Sequence, residues 1–219
     1  HTLTGKGNYL FMTGRQDVTI ENINVVGNIS FPGDTAVLRL GEGVAGLENV
    51  TVPSGKAEIV IEKGAEIPKT FTGGGGNLNA SIYCNHDSAD FSSKITKGAG
   101  AFKVWFPIEL SGIALPTGGE NDTNVTQRDG VTYGLYSNGG TTDQKIKVTG
   151  EVCSYEPYGG KAVTIDTTDL SFTMPSSKVT LKAHTKDDYG YCSNCKRTGR
   201  STFDSSYSSA DIGRACLQS

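Results

Sequence analysis

Hydrophobic and polar residues alternate in short segments that recur along the first half of the chain. They read VTIENINVV from Val18, TAVLRL from Thr35, KAEIVIE from Lys56, NLNASIY from Asn77 and AFKVWF from Ala101. Period-2 alternation is the signature of a half-buried strand. It turns Val18, Ile20, Ala36, Leu38, Leu40, Ile59, Ile61, Ala80, Ile82, Val104 and Phe106 inward, and Thr19, Arg39, Glu58, Asn79, Lys103 and Trp105 outward. The segments start roughly 20 residues apart, the length of one coil of a β-solenoid. Gly-rich links such as GEGVAG, TGGGGN and KGAG separate them and suit the corners of such coils. The stretch from Asn77 to Gly100 is longer than its neighbours and reads as an irregular coil.

Beyond about residue 112 the pattern changes. LPTGGENDTNVTQRDG holds few apolar groups and reads as a linker or long loop over 113–130. From Val131 short strands return, with Ile146 and Val148, then Val163 and Ile165, then Leu170, Phe172 and Met174, then Val179 and Leu181 on inward positions. Pro175 cannot donate to a ladder, so the chain should turn there. Residues 184–219 are polar and carry three of the cysteines. The expected fold is all-β: a parallel β-solenoid over 1–112, a linker over 113–130, a small β-sandwich-like module over 131–183 and a Cys-containing tail over 184–219.

Composition supports this picture. Of 219 residues only 36% are hydrophobic, and 29 are glycine, which suits an all-β fold with much polar surface. A net charge of −3 without a basic stripe speaks against a nucleic-acid partner. No apolar run approaches the ~20 residues that span a bilayer. A start at His1 without an initiator Met fits a processed secreted protein or a fragment.

Two phrases carry a resemblance. LTGKGNYLFMTGRQDVTIENINVVGN and NVTVPSGKAEIVIEKGA look like β-helix segments of large bacterial surface proteins. SFTMPSSKVTLKA looks like the closing strands of repeat modules in Gram-positive and gut-bacterial surface proteins, which end in FTMP-x-x-x-VT. The resemblance implies an extracellular or cell-surface address and no activity.

Candidate chemistry is sparse. Cys192 and Cys195 form a C-x-x-C knuckle, and with His184 and Cys216 they would complete a tetrahedral zinc site. Structural disulfides are the competing reading, including Cys84 to Cys153. His86, Asp87 and Asp90 offer an acid–base set, or equally ordinary turn residues. Glu120, Asp122 and Asp129 put hard oxygens in one loop and could hold calcium, although the spacing matches no EF-hand. Trp105, with Tyr155 and Tyr158 around a Pro turn, could stack on a sugar or meet a protein. Asn28, Asn49, Asn79, Asn121 and Asn124 each begin an Asn-x-Ser/Thr sequon.

Three functions follow. The first is a non-enzymatic structural or adhesive module outside the cell, with a host or cell-surface glycan or protein as partner. The second is a self-assembling filament or sheath subunit, since solenoid ends invite stacking. The third is a polysaccharide lyase or hydrolase working at His86, Asp87 and Asp90.

Overall fold

A computed structural model describes residues 2–11, 17–30, 34–52, 55–73, 79–87, 89–96, 101–111, 114–116, 121–148, 152–157, 165–166, 169–183, 191–192 and 197–198. The chain divides into two compact units, one of residues 1–106 with 135–144, the other of 107–134 with 145–219.

In chain order the first unit carries β1 (Thr2–Phe11), β2 (Asp17–Ile20), β3 (Asn24–Ser30), β4 (Asp34–Leu40), β5 (Ala45–Val52), β6 (Lys56–Ile61), β7 (Thr70–Gly73), β8 (Asn79–Cys84), β9 (Ile95–Thr96) and β10 (Ala101–Ser111), whose end runs into the second unit. Odd strands β1-β3-β5-β7-β9 form one parallel sheet; even strands β2-β4-β6-β8-β10 form another. Each coil therefore lays one strand on each sheet, which is the β-solenoid the sequence pattern predicts.

Register follows from what must be buried. In the even sheet Val18, Leu38, Ile59, Ile82 and Val104 stack rung on rung. Beside them run Ala36, Ala57, Ala80 and Phe102. In the odd sheet Ile29, Val50 and Phe71 form the matching row, all fully buried. A one-residue slip would turn every one of these side chains to solvent, so the ladder fixes its own alignment.

The last coils carry the largest side chains. Phe102 replaces the alanines of its column, and Phe71, Phe91 and Phe106 join it. Phe71 lies 5.9 Å from Phe91 and 6.3 Å from Phe102, ring centre to ring centre. Phe91 meets Phe106 edge-on at 6.0 Å, and Phe106 meets Tyr136 at 5.7 Å. This cluster fills the coil that the sequence marks as irregular. Register gives 22 residues from Ala80 to Phe102 against 23 from Ala57 to Ala80, so this coil is no longer than the one before it, and β8 and β10 pair without a shift.

Backbone hydrogen bonds continue around the corners. Glu62 N donates to Leu40 O at 2.9 Å and Asn85 N to Ile61 O at 2.8 Å. Gly46 has φ +82°, and a side chain there would run into the Asn24 amide one coil away. Glycine is needed at that corner for both reasons.

The chain continues with α1 (Asn121–Asn124), β11 (Val125–Arg128), β12 (Val131–Asn138), which passes from the second unit back into the first, and then, in the second unit, β13 (Lys145–Lys147), β14 (Val152–Pro157), β15 (Ile165–Asp166), β16 (Ser171–Thr173), β17 (Val179–Ala183), β18 (Tyr191–Cys192) and β19 (Arg197–Thr198). The segment read as a linker thus contains a helical turn and a strand. β11 and the start of β12 form a hairpin whose turn is Asp129-Gly130, both with positive φ. β13-β16-β15 make a small antiparallel sheet, while β17 pairs with β14 and with Ile108–Ser111 of β10. The chain leaves the first of these sheets and enters the second across Pro175, where the sequence demanded a turn. Ile108, Ile146, Val148, Phe172, Met174, Val179 and Leu181 are buried. Leu170 departs from the expected strand face: it sits in a turn at φ 52° and is half-buried.

Candidate functional site

The residues expected to do chemistry do not come together. His86 and Asp87 lie in the turn after β8. Asp87 faces Lys63 at 3.8 Å, and Asp90 accepts from its neighbour Ser92, from N at 2.8 Å and Oγ at 2.6 Å. That is a local turn bond of the kind short polar residues make. The His86 Nε2 atom is buried and has no hydrogen-bond partner among the described residues. Cys84 beside it is fully buried, and burial pushes its thiol up to about 12.

Trp105 corrects an expectation. Alternation does turn it away from the coil interior, but it is only 5% exposed. Its ring stacks on Tyr83 at 6.1 Å with planes 15° apart, and Nε1 donates to Ser81 Oγ at 3.3 Å. Tyr83 is its parallel neighbour one coil back, so two large flat side chains in register cover each other. The indole is therefore no free platform for a sugar. Burial also raises the Tyr83 phenol above its ordinary range, with the Ser81 bond partly opposing.

Tyr155 lies in β14 opposite Leu181, and Tyr158 falls outside the described residues. Of the proposed zinc set, Cys192 is in β18, while His184, Cys195 and Cys216 fall outside the described residues. In the acidic loop, Glu120 also falls outside them and Asp122 is in α1. Asp129, at the hairpin turn, faces Arg128 Nε at 3.4 Å. Among the described residues no group of three or more His, Cys, Asp or Glu side chains is arranged to hold a metal ion.

One ordered polar array does emerge, on the outward face of the odd sheet. Asn28, Asn49 and Thr70 stand in register on β3, β5 and β7, and Ser30, Thr51 and Thr72 form a parallel row beside them. Parallel strands are spaced about 4.8 Å apart, and same-face neighbours along a strand about 6.6 Å. The inward partners Ile29, Val50 and Phe71 anchor each rung in the core.

Asn49 ties the array together. Its Nδ2 donates to Thr51 Oγ1 at 2.8 Å, while its Oδ1 accepts from Thr70 Oγ1 at 2.8 Å and Thr72 Oγ1 at 3.0 Å. Three hydroxyls on two coils are thereby held in one orientation. The flank carries the Lys69–Glu48 ion pair at 2.7 Å. The hydrogen bond to Glu48, then its charge, raises the Lys69 ammonium's pKa above the ordinary value. The sequence held the signal, since N-I-S, N-V-T and T-F-T recur at equal spacing. Inward alternation does not report it, because these groups lie on the outward face of the odd strands.

Set against known proteins, the chain matches no family, no curated protein and no solved structure.

Proposed function

We propose that this chain is a non-enzymatic structural or adhesive module of a secreted or cell-surface protein. Its recognising surface is the Asn/Ser/Thr face of β3, β5 and β7, and its partner is a glycan or a glycan-bearing protein. The observation that carries this reading is the Asn49 network. It fixes amides and hydroxyls at a constant repeat on a stiff sheet, so a partner with its own repeat can meet several equivalent groups at once. The groups are polar and uncharged, which suits the hydroxyls of sugars. The resemblance of the FTMP-x-x-x-VT phrase to bacterial surface modules is what supports an extracellular address; Phe172, Met174 and Val179 of that phrase are buried.

The test is retention on immobilised polysaccharides and host glycoproteins. The double variant Thr51→Val, Thr72→Val keeps β-branched shape and removes the hydroxyls. It should lose retention at least tenfold with an unchanged circular dichroism spectrum. Failure of the wild-type chain to bind any member of the panel would end the adhesive reading.

A further inference from the structure

Five asparagines stand in the Asn-x-Ser/Thr pattern that an oligosaccharyltransferase reads, and the structure treats them differently. Asn121 is buried, and its Nδ2 donates to both Pro116 O and Lys147 O at 3.1 Å, while its Oδ1 accepts from Lys147 N at 2.9 Å. A glycosylated asparagine keeps a single N–H, so a sugar there would break one of these bonds inside the core. Asn28 and Asn49, half-buried as Asn124 is, lie in odd-sheet strands that are paired on both sides, β3 by β1 and β5, and β5 by β3 and β7. Asn79 is exposed, but its sequon lies within β8, flanked by β6 and β10, and its Ser81 hydroxyl is covered by the Trp105 indole.

Asn124 differs in three respects. It ends α1 and leads into β11, which among the described residues pairs only with β12, so the Asn124–Thr126 segment borders an open edge. Among the described residues its Nδ2 makes one hydrogen bond, to Lys145 O at 2.9 Å in an exposed setting, and the amide carries a second hydrogen. And Asp122 stands two positions before it, which extends the match to Asp-Thr-Asn-Val-Thr, the acidic form of the sequon that a class of bacterial transferases reads.

We infer that Asn124 is an N-glycosylation site, modified by a sequon-reading oligosaccharyltransferase outside the cytoplasm. The inference rests on the extracellular address proposed above. In the step, Asn124 Nδ2 attacks the anomeric carbon of a polyprenyl-pyrophosphate-linked oligosaccharide. The N–C bond forms, the bond from that carbon to the pyrophosphate oxygen breaks, the pyrophosphate leaves with the electron pair, and the amide nitrogen gives up one proton. One N–H remains on the nitrogen.

The test exports the full chain into the periplasm of a bacterial host that carries such a transferase and its lipid-linked oligosaccharide, and reads intact mass. One glycan increment is expected. It should vanish in Asn124→Gln, Thr126→Ala and Asp122→Asn, and persist in Asn79→Gln. Three variants that remove different parts of the sequon guard against a folding defect in any one. An unmodified wild-type chain, or an increment that survives Asn124→Gln, overturns the assignment. Because the host supplies export and enzyme, either result leaves the adhesive reading to its own binding test.

Discussion

Asp169 accepts a hydrogen bond from Ser171 Oγ at 2.5 Å and faces the ammonium groups of Lys145 and Lys147, both at 3.3 Å. The Ser171 bond first, and the two lysines after it, hold its carboxyl down to about 2. Its folded value is depressed, so the stabilisation is present above the unfolded value near 3.8 and is lost as pH falls from about 4 to about 2. Asp169→Asn should flatten that part of the stability–pH curve, measured by thermal melts across the window; an unchanged curve would remove Asp169 as its source. Cys84 gives a second residue-scale expectation. With its thiol up at about 12 and no exposure, it should resist alkylation at pH 8 in the native chain and react fully in denaturant, as read by peptide mapping.

At the scale of elements, each strand contributes inward rungs whose loss leaves a void. Ile59→Ala in β6, at the centre of a fully buried column, should cost about 2–5 kcal/mol in urea unfolding. Gly46→Ala should destabilise by more than the ~1 kcal/mol that separates glycine from alanine in relaxed positions, because positive φ and the Asn24 amide both oppose it. These elements were legible in the sequence where alternation was strong. The β4, β6 and β8 faces follow directly from Leu38, Ile59 and Ile82. The odd sheet is less legible, since β7 and β9 are short and the register between β3 and β5 shifts before Asn28. At Trp105, alternation reports which way the side chain leaves the strand, and the neighbouring coil, here Tyr83, decides whether water reaches it.

At the scale of the molecule, a stack of coils is close to one-dimensional in its energetics, because each coil touches mainly the ones before and after it. Val18 and Ile20 on β2 are half-buried, whereas Leu38, Leu40, Ile59 and Ile61 on the next two coils are fully buried. Amide hydrogen exchange should therefore be slowest in β4 and β6 and faster by at least tenfold in β2. Uniform protection across the three strands would contradict the picture of separable coils.

The in-register columns also set the grain of change that this fold tolerates. Leu38 and Ile59 occupy the same place on successive turns, so excising residues 39–59 would join Leu38 to Val60 with inward and outward faces still in phase. Losing one residue inside β4 would put every later position of that strand out of phase. Length in this part of the molecule is thus quantised: it should lengthen or shorten by whole turns, and the hydroxyl rows would grow or shrink with it, one rung per turn.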